Sequence, residues 1–244
     1  MITTLYQEKR QYLQWWDIGI ITLIMFGYFI GVSFISFFSL PDLAVADPVE
    51  FTSETNWVNL CIQLMLLALA FIYLYMRKFK FSCWNIRIHL VSMFQGIVLF
   101  IVTALLMDFY LIAASTFFPA LLGNSMGEEG EIATAMEGIS IFASVEPSVV
   151  IYSILNGFYE EIFFLGICLS VTSEDRYKYF FYSLFIRYSF HTYQGNVSAI
   201  GIGLLVGITY FVVYSRMKDK NLFPFFLAHT IADIFGLGII NLIQ

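Results

Sequence analysis

The feature that most constrains this chain is a recurrence of apolar runs, each about as long as a bilayer is thick, separated by short polar connections. The runs lie near residues 18–40, 57–76, 89–112, 148–172, 179–194, 198–215 and 222–241. A hydrocarbon core about 30 Å thick needs about 20 apolar residues to cross it as a helix. In lipid a backbone has few other options, because its N–H and C=O groups must find partners within the segment. With 59% of 244 residues hydrophobic and 12% charged, the chain also lies far from soluble composition. The expected fold class is therefore all-α, a polytopic transmembrane helical bundle of about seven spans. The run Ile18–Leu40 precedes a small-residue stretch, "AVAD", but its 23 residues exceed the about 7 to 15 of a signal-peptide core, so it is read as the first span.

Charge orients the bundle. Lys9 and Arg10 precede the first run, Arg77, Lys78, Lys80 and Arg87 follow the second, Arg176 and Lys178 the fourth, and Arg216, Lys218 and Lys220 the sixth. These are 11 of the 12 Lys and Arg residues, all in alternate connections. The other connections carry Asp42, Asp47, Glu50, Glu54, Glu128, Glu129, Glu131, Glu137 and Glu146 and no Lys or Arg. By the positive-inside rule the N-terminus is cytoplasmic and, after seven spans, the C-terminus extracytoplasmic. The net charge of −6 is mostly this outer rim, which argues against a nucleic-acid partner and leaves membrane lipids as the first one. Cys61, Cys83 and Cys168 have no metal-type or redox-type spacing and read as packing thiols.

Ionisable groups at bilayer depth cost a few kcal/mol each and are functional candidates by default. Here they gather late in the chain: Glu160 and Glu161 in the fourth run, Arg187 and His191 in the fifth, His229 and Asp233 in the seventh. Asp108, near the outer end of the third run, and His89, at the mouth of the same run, read as interfacial residues. Arg187 and His191 are spaced i, i+4, as are His229 and Asp233, so each pair shares a helix face. Glu160 and Glu161 diverge by about 100° around their helix, so only one can face a substrate while the other supports it. At about 1.5 Å per residue, Glu160, His191 and His229 lie at similar depths. Small residues repeat every four positions at Ala199, Gly203 and Gly207 and at Ala228, Ala232 and Gly236, giving smooth faces for close helix approach. The run "GIGLLVG" follows no strand and reads as packing.

Two carboxylates and two histidines in a dry setting suit water activation, because a carboxylate withdrawn from water is a better general base. Other hydrolytic designs lack their residues: no histidine is followed by glutamate as in H-E-x-x-H, and no G-x-S-x-G turn is present. Neither Asp108 nor Asp233 has the glycine-flanked G-x-G-D setting of an aspartyl pair.

At three places the sequence resembles the CAAX prenyl protease and bacteriocin-processing (CPBP, or Abi) family of intramembrane glutamate proteases. Its E-E-x-x-x-R, F-x-x-x-H and H-x-x-x-N/D motifs are similar to "EEIFFL" (Glu160–Leu165), "RYSFH" (Arg187–His191) and "HTIAD" (His229–Asp233). The resemblance covers about residues 148–241. It implies residues 148–244 as a catalytic helical core and 1–147 as N-terminal spans with outer loops. It further implies Glu160 as the base that activates water with His191 as its partner, His229 and Asp233 as the groups that polarise the scissile carbonyl, and Glu161 as the residue that orients them. The implied substrate is a hydrophobic or membrane-associated peptide, in a bacterial plasma membrane a pheromone or bacteriocin precursor, or else a bacteriocin met in self-immunity. No cofactor is expected. Leu165 stands where the first motif has arginine, and Arg187 where the second has phenylalanine. We read these as linked, with Arg187 supplying the missing charge from the facing helix; the alternative is that Arg187 reaches the cytoplasmic interface. Two other functions fit the residues: a non-catalytic scaffold that binds a sensor kinase or a peptide, and a hydrolase that holds a divalent metal between Glu160, His191, His229 and Asp233. Oligomeric state and the role of the 117–146 outer loop are not encoded in any motif.

Overall fold

The computed structural model describes residues 13–39, 52–117 and 146–239. Lys9, Arg10, the "AVAD" stretch, nearly all of the 117–146 loop and the last residues of the seventh run lie outside them. The described chain is a helical bundle: α1 (Trp15–Ser39), α2 (Ser53–Met76), α3 (Leu90–Phe117), α4 (Pro147–Ile167), α5 (Arg176–His191), α6 (Asn196–Arg216) and α7 (Phe223–Phe235). Its only strand-like feature among the described residues is an isolated bridge between Asn85 and Asn221.

Local sequence sets the helix ends. Thr52 caps α2 by accepting from the Thr55 N–H at 3.2 Å. His89 and Ser92 cap α3 reciprocally, each backbone N–H donating to the other's side chain at 3.0 Å. His89, expected at an interface, thus acts as a helix cap. Pro147 and Pro224 occupy first-turn positions, where the missing N–H costs nothing.

Five helices, α1, α2, α3, α4 and α6, are long and apolar enough to cross a membrane. This is a multi-pass membrane protein. Helices α5 and α7 have 16 and 13 residues, short of the length of a full span. Helix α7 stops early because Gly236 adopts φ +83°, a left-handed conformation that closes the helix by donating to the Ala232 carbonyl at 2.8 Å. The seventh run was expected to continue to 241, with Gly236 as part of a smooth packing face; it is a helix stop instead. The expected small face on α6 does pack: Ala199 is fully buried, and a side chain on Gly203 would strike the Tyr188 backbone of α5.

The outer faces of α1–α3 carry Phe34, Phe38, Leu64, Tyr75 and Phe94, all exposed as lipid contacts would require. Inside, Phe26 of α1 stacks among Tyr159, Phe163, Phe164 and Phe190, tying α1 to α4 and α5. The α2–α3, α4–α5 and α6–α7 connections meet at one end of the bundle. There the Leu222 N–H donates to the Asn85 carbonyl at 2.9 Å, and the Trp84 indole donates to Ser170 at 3.3 Å. The basic connections therefore share one end.

Candidate active site

Helix α7 lies against both α3 and α4. Its contact with α4 is close enough that a Cβ on Gly157 would lie 2.8 Å from the Phe226 carbonyl and 3.0 Å from the Thr230 nitrogen. Only glycine allows this approach, and one turn further along α4 stand Glu160 and Glu161, opposite His229.

All six sequence candidates come together. Glu161, fully buried, is the hub. Arg187 Nη2 lies 2.8 Å from both of its oxygens, and His229 Nδ1 donates to Oε1 at 2.7 Å. The Arg187 guanidinium is itself buried, 4.0 Å from the centre of the Phe164 ring and 4.0 Å from Glu160 Oε2. It reaches no interface, so the snorkelling alternative is set aside. Leu165, at the family's arginine position, lines a cleft at the basic end of the bundle, and the cation beside the glutamates comes from α5.

Glu160 is held differently. Its Oε1 accepts from Asn156 Nδ2 at 3.1 Å, while Oε2, buried, has no hydrogen-bond partner among the described residues and faces His229 Nε2 at 3.7 Å. Asp233 Oδ1 lies 3.5 Å from the same His229 nitrogen. With its side chain 25% exposed, Asp233 is the most open member of the set, so the cluster opens at the α7 end. His191 does not pair with Glu160 among the described hydrogen bonds, as the motif resemblance implied. Its Nδ1 donates to the Arg187 carbonyl at 2.7 Å, which leaves Nε2 as the acceptor of a neutral ring. The histidine beside Glu160 is His229.

Two residues of the network escaped the sequence reading. Asn156 donates from one amide nitrogen to both Glu160 and Asp233, the latter at 2.8 Å, and accepts on Oδ1 from Gln63 Nε2 of α2 at 2.6 Å. Two carboxylates facing the same nitrogen fix the orientation of the Asn156 amide without ambiguity. Asn156 is one turn before Glu160, the same i, i+4 spacing that paired the other candidates, so a search for polar as well as ionisable residues finds it. Tyr152 and Tyr193 also stand close enough to Glu160 and Asp233 to interact with them electrostatically.

Glu160, Glu161 and His229 each offer a ligand atom within 4.8 Å of the others, the spacing of a metal site. A cation there would have to displace the Arg187 and His229 contacts of Glu161 and sit beside a guanidinium, which Coulomb repulsion opposes. The chemistry this arrangement suits better is proton transfer: three carboxylates share one guanidinium and one imidazole, and one carboxylate oxygen is left unpartnered.

Just after Glu161 the helix widens into a π-helical turn, Ile162–Ile167, where the Cys168 N–H reaches the Phe163 carbonyl five residues back at 2.9 Å. A second such turn, Gly201–Val206, interrupts α6. Single π-helical turns in α-helices are frequent at functional sites.

A comparison with curated proteins and one with solved structures each give no match. A family model does match: residues 143–235 fit the type II CAAX prenyl endopeptidase family, Rce1-like. That interval holds every polar group of the cluster except Gln63. Over these residues, which carry the motifs singled out in the sequence, the chain is similar to the type II CAAX prenyl endopeptidases.

Proposed function

We propose that this chain is an intramembrane endopeptidase that hydrolyses a hydrophobic or membrane-associated peptide with water activated by Glu160. The observation that carries the reading is Glu160 Oε2, a buried carboxylate oxygen with no hydrogen-bond partner among the described residues, aimed at the imidazole of His229. Glu160 takes a proton from water, and the resulting hydroxide attacks the scissile carbonyl carbon. His191 Nε2 accepts the second water hydrogen and orients the attack. His229, anchored through Nδ1 by Glu161, donates as the imidazolium from Nε2 to the oxygen on which negative charge develops, with Asp233 at its flank. Collapse of the tetrahedral intermediate breaks the C–N bond, and Glu160 returns its proton to the leaving nitrogen. Glu161, itself held by Arg187, fixes the orientation of His229 and stabilises its imidazolium, as the buried aspartate of a serine-protease triad does.

The wider setting follows the same reading. Basic connections gathered at one end support a cytoplasmic N-terminus, and the family resemblance supports a bacterial plasma membrane with a pheromone or bacteriocin precursor as substrate. The scaffold alternative draws its support from Leu165; Arg187 beside Glu161 favours the catalytic reading instead. The metal reading retains one observation, the 4.8 Å grouping of Glu160, Glu161 and His229.

The test is cleavage of a hydrophobic peptide library by the purified protein in nanodiscs, read by mass spectrometry. Wild type and Glu160→Gln are compared with and without a strong chelator. Cleavage that the substitution abolishes and the chelator spares is the expected result. Cleavage lost to the chelator moves the assignment to the metal reading, and cleavage by Glu160→Gln at the wild-type rate overturns the role of Glu160.

A further inference from the structure

At the basic end of the bundle, away from the glutamates, a cleft of about 370 Å³ opens between the three connections that meet there. Its cations are Lys80 and Lys220, from two of the connections, and Arg176, at the start of α5, and among the described residues no Asp or Glu lines it. Lys220 is anchored, donating to the Tyr214 and Ser215 carbonyls at the end of α6. Lys80 and Arg176 are exposed and form no ion pair among the described residues. Burial and the nearby positive charge of Arg176 both lower the pKa of Lys220, while Asp219 opposes them. Like charges gathered in a lining that holds no carboxylate are the electrostatic signature of an anion site.

Two further observations say what kind of anion. The inner wall of the cleft is apolar, formed by Leu165, Leu169 and Val171. Beside the cleft runs a second, wholly apolar groove of about 460 Å³ lined by Phe71, Ile72, Tyr75 and Phe81. The two join at the aromatic pair Phe81 and Trp84, whose ring centres are 5.5 Å apart, one ring in each lining. The groove lies along the last turns of α2, where Ile72 and Tyr75 face outward and are exposed. Cations at the rim and an apolar trough leading from it match an amphiphile with one anionic head and a hydrocarbon tail. Basic pockets between helices at the cytoplasmic surface recognise anionic lipids in this way.

We propose that this cleft and groove form a binding site for one anionic phospholipid, its phosphate between Lys80, Arg176 and Lys220 and an acyl chain along Phe71, Ile72 and Tyr75. The site is independent of the peptide-bond chemistry and does not rest on it.

The experiment is native mass spectrometry of the full-length protein in detergent, titrated with phosphatidylglycerol, phosphatidylcholine or soluble glycerol phosphate. The wild type should retain one phosphatidylglycerol at least about tenfold more tightly than phosphatidylcholine, and Lys80→Gln/Arg176→Gln should remove about tenfold of that affinity. Lys218→Gln, at the same end but outside the lining, should leave it unchanged. Because Lys80 and Arg176 form no ion pair among the described residues, the double variant should keep the wild-type melting temperature in phosphatidylcholine. Equal binding of the two lipids, or undiminished phosphatidylglycerol binding by the double variant, would overturn the site. Glycerol phosphate binding as tightly as the lipid would overturn the lipid assignment, and so would displacement of bound lipid by a free peptide carboxylate.

Discussion

Asp17 and Glu161 are both carboxylates buried in the bundle, and both are met by an arginine from a neighbouring helix, yet their surroundings differ in supply. Asp17 accepts from Arg77 Nε at 2.7 Å, Tyr73 at 2.6 Å, the Gln14 N–H at 2.9 Å and Arg77 Nη2 at 3.2 Å. One carboxylate there has four donors, and its arginine is 44% exposed to solvent. Around Glu161 the ratio reverses. Three carboxylates share one buried guanidinium and one imidazole, and one oxygen of Glu160 is left without a donor among the described residues. A surplus of donors pins helices, as Asp17 pins α1 to α2. A deficit leaves a proton acceptor free to react, and in a dry setting such a deficit is retained only at a cost in stability.

The largest expected effect comes from erasing the deficit. Glu160→Gln should lower kcat for peptide cleavage by about 10³-fold or more, because the general base is lost while shape and helix packing are kept. The difference between the two sites collapses if Glu160→Gln retains more than about a tenth of wild-type turnover. Next is the charge that both glutamates share. Arg187→Leu leaves Glu161 buried with only an imidazole, and removing one partner of a buried ion pair costs about 3–5 kcal/mol. A lower melting temperature and lost cleavage are expected together, with partial recovery of both in Arg187→Lys. An Arg187→Leu protein with wild-type melting and cleavage would show that the family's missing arginine is not replaced from α5.

What the sequence made legible follows from the same contrast. Glu160, Arg187 and His229 stand out because charge at bilayer depth is expensive, and their i, i+4 partners follow from helix geometry. Gln63 and Asn156 did not stand out, because neutral amides cost less in a membrane helix and resemble ordinary helix-to-helix glue. Spacing fixed which residues share a face on one helix but not which faces meet across the bundle. His191 and His229, at similar depth, could therefore not be told apart as the neighbour of Glu160. The end of α7 was hidden for a third reason: Gly236 lies in an unbroken apolar stretch, where a packing glycine and a left-handed helix stop look alike.

Asn156 allows the contrast to be sharpened by degrees. Asn156→Ala withdraws the donor shared by Glu160 and Asp233 and worsens the deficit without touching the reacting oxygen. A loss of about 10- to 100-fold in kcat is expected, equivalent to about 1–3 kcal/mol for a buried hydrogen-bonding group left unpaired. Gln63→Leu, one contact further out, should cost less, and the double variant should lose less than the product of the two single losses, since both act through one amide. Strictly multiplicative losses would mean that Gln63 supports the fold and not the orientation of Asn156.

The smallest effect should arise at the well-supplied carboxylate, and it tests the other half of the comparison. Asp17→Asn keeps the shape but removes the charge, and Arg77 is exposed enough that water screens much of the pair's worth. Together with the weakened Tyr73 contact, the expected loss of stability is about 1–2 kcal/mol, read as a small drop in melting temperature. Turnover should stay within about twofold of wild type, since α1 and α2 meet there at the basic end, away from the glutamates. A large loss of turnover at unchanged stability would mean that the Asp17 network is coupled to the active site. A surplus of donors could then no longer serve to separate a structural carboxylate from a working one.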